Sequence, residues 1–181
     1  MVYRNAWLSI AFAIPLLFPG MLHAGKFEKI FTGGLSLGLA DMSSELRPGF
    51  NLGLSGISLP VKYFGVGGHV GYNRWSIPEP GKLIVADKGS LHFIETSVVI
   101  RGLAPIDRNI RFFGEVCPGL QVGVVRRYSD PPTGDADANF GMSFCFGLDV
   151  RCFEVAPKFK TIIAGPRKGT KWLALSAGFV F

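Results

Sequence analysis

Histidine, cysteine and charge are all scarce in this 181-residue chain, and each scarcity removes a class of function. There are three cysteines and three histidines, and Cys117, Cys145 and Cys152 are not interleaved with histidine at the short spacings a metal site uses. No catalytic, cofactor-binding or metal-ligating set is expected. The stretch "DPPTGDADAN" over 130–139 lacks the Asp-x-Asp-x-Asp-Gly order and closing glutamate of a calcium loop. Charged residues make up only 18% of the chain, and the basic ones are split among separate segments. A formal charge of +6 therefore does not imply a nucleic-acid surface. After residue 24 there is also no apolar run as long as a membrane-spanning helix. Yet 48% of the chain is hydrophobic, too apolar for disorder, and 24 glycines argue against a helical protein.

The N-terminus has the three-part pattern of a secretory signal. "MVYRN" carries one positive charge, "AWLSIAFAIPLLF" is apolar from Ala6 to Phe18, and "PGMLHA" adds a helix breaker and a small residue at Ala24. The apolar run contains Pro15 and is short for a membrane span. Leu22 is larger than signal peptidase prefers, and no nearby cysteine offers a lipid anchor. The expected organisation is a signal peptide over 1–24 and one domain over 25–181.

What fills that domain is alternation. In "KWLALSAGFVF" Leu173, Leu175, Ala177, Phe179 and Phe181 fall on one face, and Trp172, Ala174, Ser176, Gly178 and Val180 on the other. The period is two, which means a strand. Seven further segments repeat it, including "FTGGLSLGLA", "YFGVGGHVGYN" and "FGMSFCFGLDV". A soluble sandwich turns its bulky residues inward and its charges outward. Here one face is almost purely Leu, Phe, Val and Ile, and the other carries glycine, serine, asparagine and a few charges. That distribution predicts an all-β, eight-stranded, up-and-down antiparallel transmembrane barrel with an apolar outside. The links agree: Asp41–Pro48, Arg74–Gly89, Arg126–Asn139 and Ala164–Thr170 are polar and mostly long, and those between are short. Long outer loops and short periplasmic turns are the outer-membrane pattern.

Eight strands leave a lumen just wide enough for side chains. Glu95, Arg101, Arg111, Glu115, Glu154, Lys158 and Lys160 have lumen parity and both signs, so a structural charge network is expected. His69 is expected in the lumen as a hydrogen-bonded filler, and His92 outside, near the loop end of its strand, with no obvious partner. Cys117 and Cys145 share lumen parity on neighbouring strands, where packing or a disulfide are both open. Arg126, Arg127, Arg167, Lys168 and Lys171 are expected at the outer rim, suited to the phosphates of lipopolysaccharide.

"FIETSVVIRG" followed by "IRFFGEVCPGLQVG" resembles the central hairpin of the outer-membrane β-barrel domain family of the OmpA/OmpX type. Glu95 matches the family's acidic position, and Pro118 and Gly119 match its Pro-Gly. Ser97 stands where proline is common, and Cys117 replaces a glycine. The resemblance implies localisation in the bacterial outer membrane and a monomer among outer-membrane lipids. It also implies that Phe179 and Phe181 form the signal read by the assembly machinery. The expected function is structural or surface-interacting, without an enzyme's site and without a cofactor. A narrow channel or small hydrophobic-ligand carrier of the OmpW kind is the alternative, favoured if Pro118 or Pro157 opens the wall. A lipid A-modifying enzyme is the third class, disfavoured because neither "HVG" nor "HFI" has the His-x-Ser of the barrel deacylases.

Overall fold

Strands with one apolar and one small or polar face can satisfy both by rolling into a cylinder, which also pairs every backbone group. A computed structural model describes residues 26–39, 42, 45–78, 87–127 and 133–181, so the expected signal peptide lies outside the described residues. The strands are β1 (Lys26–Leu39), β2 (Gly49–Val61), β3 (Phe64–Pro78), β4 (Asp87–Pro105), β5 (Ile110–Arg127), β6 (Thr133–Val150), β7 (Phe153–Ala164) and β8 (Lys171–Val180). Each pairs antiparallel with its neighbour in the chain, and β1 pairs with β8 to close the barrel.

The closing ladder runs from Leu39↔Lys171 to Ile30↔Val180. It continues one step further: Phe181 N–H donates to Lys29 O at 2.8 Å, and Lys29 N–H donates to Phe181 O at 3.1 Å. Within the closed ring no strand edge remains for another chain to pair with, although β3 runs on past its β2 ladder and β6 past its β7 ladder at the other end.

Side chains alternate as the period requires. Leu35, Leu54, Val66, Ile100, Leu120, Phe144 and Leu175 lie exposed on the outside, Leu35 at 58%. Side chains of this kind each lose about 1.5–3 kcal/mol when left in water rather than buried. A continuous belt of them fits a barrel surrounded by hydrocarbon. Aromatic residues mark its ends. Phe153 and Phe179 sit 4.6 Å apart between ring centroids near the short turns, and Phe50 and Tyr72 5.8 Å apart towards the opposite end.

The turns at 62–63, 106–109 and 151–152 lie at the end where Lys26 and Phe181 also lie. In the second of these, Asp107 Oδ1 accepts from the N–H groups of Asn109 at 2.6 Å and Ile110 at 2.8 Å, a side-chain-stabilised turn. At the other end the expected loops Arg74–Gly89 and Arg126–Asn139 are shorter than the sequence suggested. β3 and β4 stay paired up to Pro78↔Asp87, and β5 and β6 up to Arg127↔Thr133. Beyond the apolar belt a hairpin needs no alternation, because water accepts polar residues on both faces.

Candidate functional site

The inside of the barrel is filled in layers, and its chemistry follows from what each layer holds. Nearest the short turns is a charge cluster built around Arg101, a side chain with no solvent exposure. Its Nη1 donates to Glu115 at 3.0 Å, and its Nη2 donates to Asp149 at 2.9 Å and Glu154 at 2.8 Å. The guanidinium also lies 3.9 Å from the centre of the Phe113 ring. Arg111 bridges Glu28 and Asp149, each at 2.9 Å, Lys26 pairs with Glu28 at 3.0 Å, and Lys158 stands 3.9 Å from Glu115. Buried charges are tolerable only in such company, since desolvation of an isolated one costs several kcal/mol.

Above it, Lys160 Nζ donates to Glu95 Oε1, and His69 Nε2 lies 3.2 Å from the same oxygen. Ser55 Oγ lies 2.8 Å from His69 Nδ1. A Ser–His–carboxylate line is a hydrolase's signature when the serine faces a substrate. Here Lys160 holds the carboxylate and Ser55 is only 7% exposed inside a filled barrel, so the line packs the lumen. Gly71 makes room for it: a methyl there would lie 2.7 Å from Glu95 Cγ.

The third layer is aromatic. Phe93 stacks on Trp172 at 5.1 Å, and Trp75 meets Trp172 edge-on at 5.7 Å. Trp75 Nε1–H donates to Ser36 O at 3.2 Å, so the indole is anchored to the wall. Both tryptophans and Phe93 are fully buried. Arg167 closes this layer from above. Its Nε lies 2.6 Å from Asp137 Oδ2, its N–H donates to Asn139 Oδ1 at 2.9 Å, and its stem passes over Gly123 beside Phe93.

The structure thus places Glu95, Arg101, Arg111, Glu115, Glu154, Lys158 and Lys160 inside, in two clusters. Glu28 and Asp149 belong to them and were missing from the expected set. Asp149 shares the parity of Cys145 and Gly147, and Glu28 that of Gly34 and Ser36, so parity alone could have found both. The aromatic layer was missed because the inner face was expected to be small and polar.

Of the expected rim residues, Arg126, Arg127, Lys168 and Lys171 are exposed, and Arg167 is instead folded into the mouth by Asp137. His92 lies on the outside as expected, but it has partners: Tyr72 OH is 2.6 Å from Nδ1 and Ser90 Oγ 2.7 Å from Nε2. Cys117 and Cys145 are free, standing diagonally across β5 and β6 with Ser143 and Glu115 as their direct partners. Among the described residues no cluster of metal-ligating side chains occurs. Phe179 and Phe181 expose their rings outside the barrel at the short-turn end.

No protein-family model matches the chain, and no curated protein sequence matches it. Solved structures do. The Neisserial surface protein A is similar with a TM-score of 0.66 at 11% identity, covering 85% of this chain and 95% of that one. The attachment invasion locus protein Ail of Yersinia pestis, in complex with the heparin analogue sucrose octasulfate, gives 0.53 at 15% identity over 86% and 99%. The outer membrane protein OprG of Pseudomonas aeruginosa gives 0.51 at 10% identity over 87% and 97%. With its eight antiparallel strands closed from β1 to β8, the chain has the fold of the eight-stranded outer-membrane barrels.

Proposed function

We propose that this protein is a monomeric barrel of the bacterial outer membrane that acts through its extracellular hairpins as a surface-interaction protein, with neither a pore nor enzymatic activity. The observation that carries this reading is the filled lumen. Arg101 and its carboxylates block one end, and Trp75, Phe93, Trp172 and Arg167 block the other. With the inside occupied, the working surface is what projects from the membrane. The exposed Arg126, Arg127, Lys168 and Lys171 give that surface a basic rim suited to phosphate and sulfate groups, lipopolysaccharide among them. The sulfated ligand of Ail is a useful probe of the same chemistry. Refolded protein should bind sucrose octasulfate, and changing these four residues to glutamine should weaken that binding roughly tenfold or more. Equal binding by the variant would remove the basic rim from the account.

The alternative, a carrier with an opening in its wall, has one observation in its favour. The β4–β5 ladder is interrupted between Ser97↔Gly119 and Ile100↔Val116, with Pro118 in the gap, and β6–β7 between Cys145↔Lys158 and Leu148↔Val155, with Pro157 in the gap. Behind both gaps lie Val99, Cys117, Cys145 and Ala156, buried together in one apolar cluster. A side-on entry would have to displace that packing, which favours the closed reading.

A further inference from the structure

The outward faces of β3, β4 and β5 change character abruptly at one level. Strand register sets the rows. Val70, Thr96 and Leu120 form one row across the three strands, and Tyr72, Ile94 and Val122 the next. Then come Arg74, His92 and Val124, and after them Ser76, Ser90 and Arg126. Two arginines and a histidine thus follow directly on an apolar wall. From Ala104, the last outward residue of β4 before its turn, to His92 the strand climbs about 30 Å for a tilt of roughly 40°. That is close to the height of the apolar band of such barrels, about 25 Å. The rows of Arg74 and Arg126 therefore stand where hydrocarbon gives way to headgroups on the extracellular side.

The cluster is built rather than scattered. His92 is fixed from both sides, by Tyr72 OH at 2.6 Å and Ser90 Oγ at 2.7 Å. Tyr72 is braced in turn by Phe50, and its ring sits 5.8 Å from that of His92. Arg74 is the direct cross-strand partner of His92, and Arg126 that of Ser90, so both stems start within about 5.5 Å of this core. The cations inside the barrel, Arg101, Arg111, Lys158 and Lys160, all face carboxylates. Among the described residues, no acidic side chain pairs with Arg74 or Arg126. Beside them Val122, Val124, Ala136 and Ala138 leave a smooth apolar strip on β5 and β6.

We infer that Arg74, His92 and Arg126, with the hydroxyl of Tyr72, form a binding site on the barrel wall for the phosphate of a membrane lipid headgroup, with the acyl part lying on the strip below. Guanidinium groups bind phosphate through paired charge-assisted hydrogen bonds, and proximity to hydrocarbon strengthens them. The inference rests on the outer-membrane reading, and it joins Arg126 of the basic rim to Arg74 and His92 on the wall below. The phosphate has two sources, the phosphomonoester of lipid A and the phosphodiester of a phospholipid.

Native mass spectrometry of the refolded full chain tests it, with lipid A, dephosphorylated lipid A and phosphatidylglycerol offered separately. Wild-type protein should retain one phosphorylated lipid. Retention should fall roughly tenfold on dephosphorylation and in the Arg74→Gln/Arg126→Gln variant, with little change in Lys62→Gln/Arg108→Gln, which alters exposed cations of the short turns at the opposite end. Preference for lipid A assigns the site to the phosphomonoester, and equal retention of phosphatidylglycerol assigns it to lipid phosphate in general. Retention that ignores both the phosphate and the double substitution would overturn the site. Heat-modifiable gel mobility, read on every sample, reports separately on whether the barrel has folded. Cell fractionation reports on the outer-membrane reading, so neither failure can be mistaken for loss of the site.

Discussion

Arg101 shows what a single residue is asked to do in a lumen this narrow. It is fully buried, and its guanidinium is the common partner of Glu115, Asp149 and Glu154. Replacing it by methionine keeps much of the volume but leaves Glu154 without its cation, and Asp149 and Glu115 with only Arg111 and the more distant Lys158. Breaking a buried network in this way costs about 3–5 kcal/mol, so Arg101→Met should lower the urea midpoint of the refolded protein sharply. Lys26→Met, which removes an exposed partner of Glu28, should change it by less than about 1 kcal/mol. Equal midpoints for the two variants would contradict a structural role for the network. Gly71 makes the complementary case. A methyl there overlaps Glu95, which Lys160 and His69 hold in place, so Gly71→Ala should destabilise by about 1–3 kcal/mol in the same assay. These partnerships were not legible in the sequence. Arg111 and Glu28 are far apart in the chain and meet only because β1 comes round to close the barrel, and parity names a face without naming neighbours across it.

At the scale of elements, the strands themselves were legible because lipid enforces a period of two wherever the wall is wet on one side and oily on the other. The pattern located all eight and placed the closure between β1 and β8. Where lipid no longer acts, the signal fades. The extensions of β3 to β6 beyond the apolar belt run through Pro78, Asp87, Thr133 and Gly134, residue types that read as turns, and they were expected as loops. The aromatic layer was hidden for a related reason. Trp75, Phe93 and Trp172 sit on the inner face, and only the register shows that they meet. Removing the stacked indole in Trp172→Ala should cost about 3–5 kcal/mol of stability. In β8, Phe179 and Phe181 turn their rings outward, where the assembly machinery could read them. Phe181→Ser should reduce the amount of folded protein in the outer membrane of cells more than its yield on refolding in detergent. Equal losses in both would assign Phe181 to stability alone.

For the whole molecule, closure and filling act together. Closure pairs the strands around the ring, the apolar sheath makes lipid the favourable solvent, and the described side chains pack the lumen at two levels. The two plugs are separate: the charge cluster lies towards the short turns and the aromatic layer towards the hairpins. Opening one therefore leaves the other in place, and Trp172→Ala should remain as impermeable as the parent. The most direct test of the account is conductance across a planar bilayer containing the refolded full chain. A lumen packed as described gives a baseline indistinguishable from the empty bilayer. Discrete openings that scale with the amount of inserted protein would contradict it and favour the channel reading.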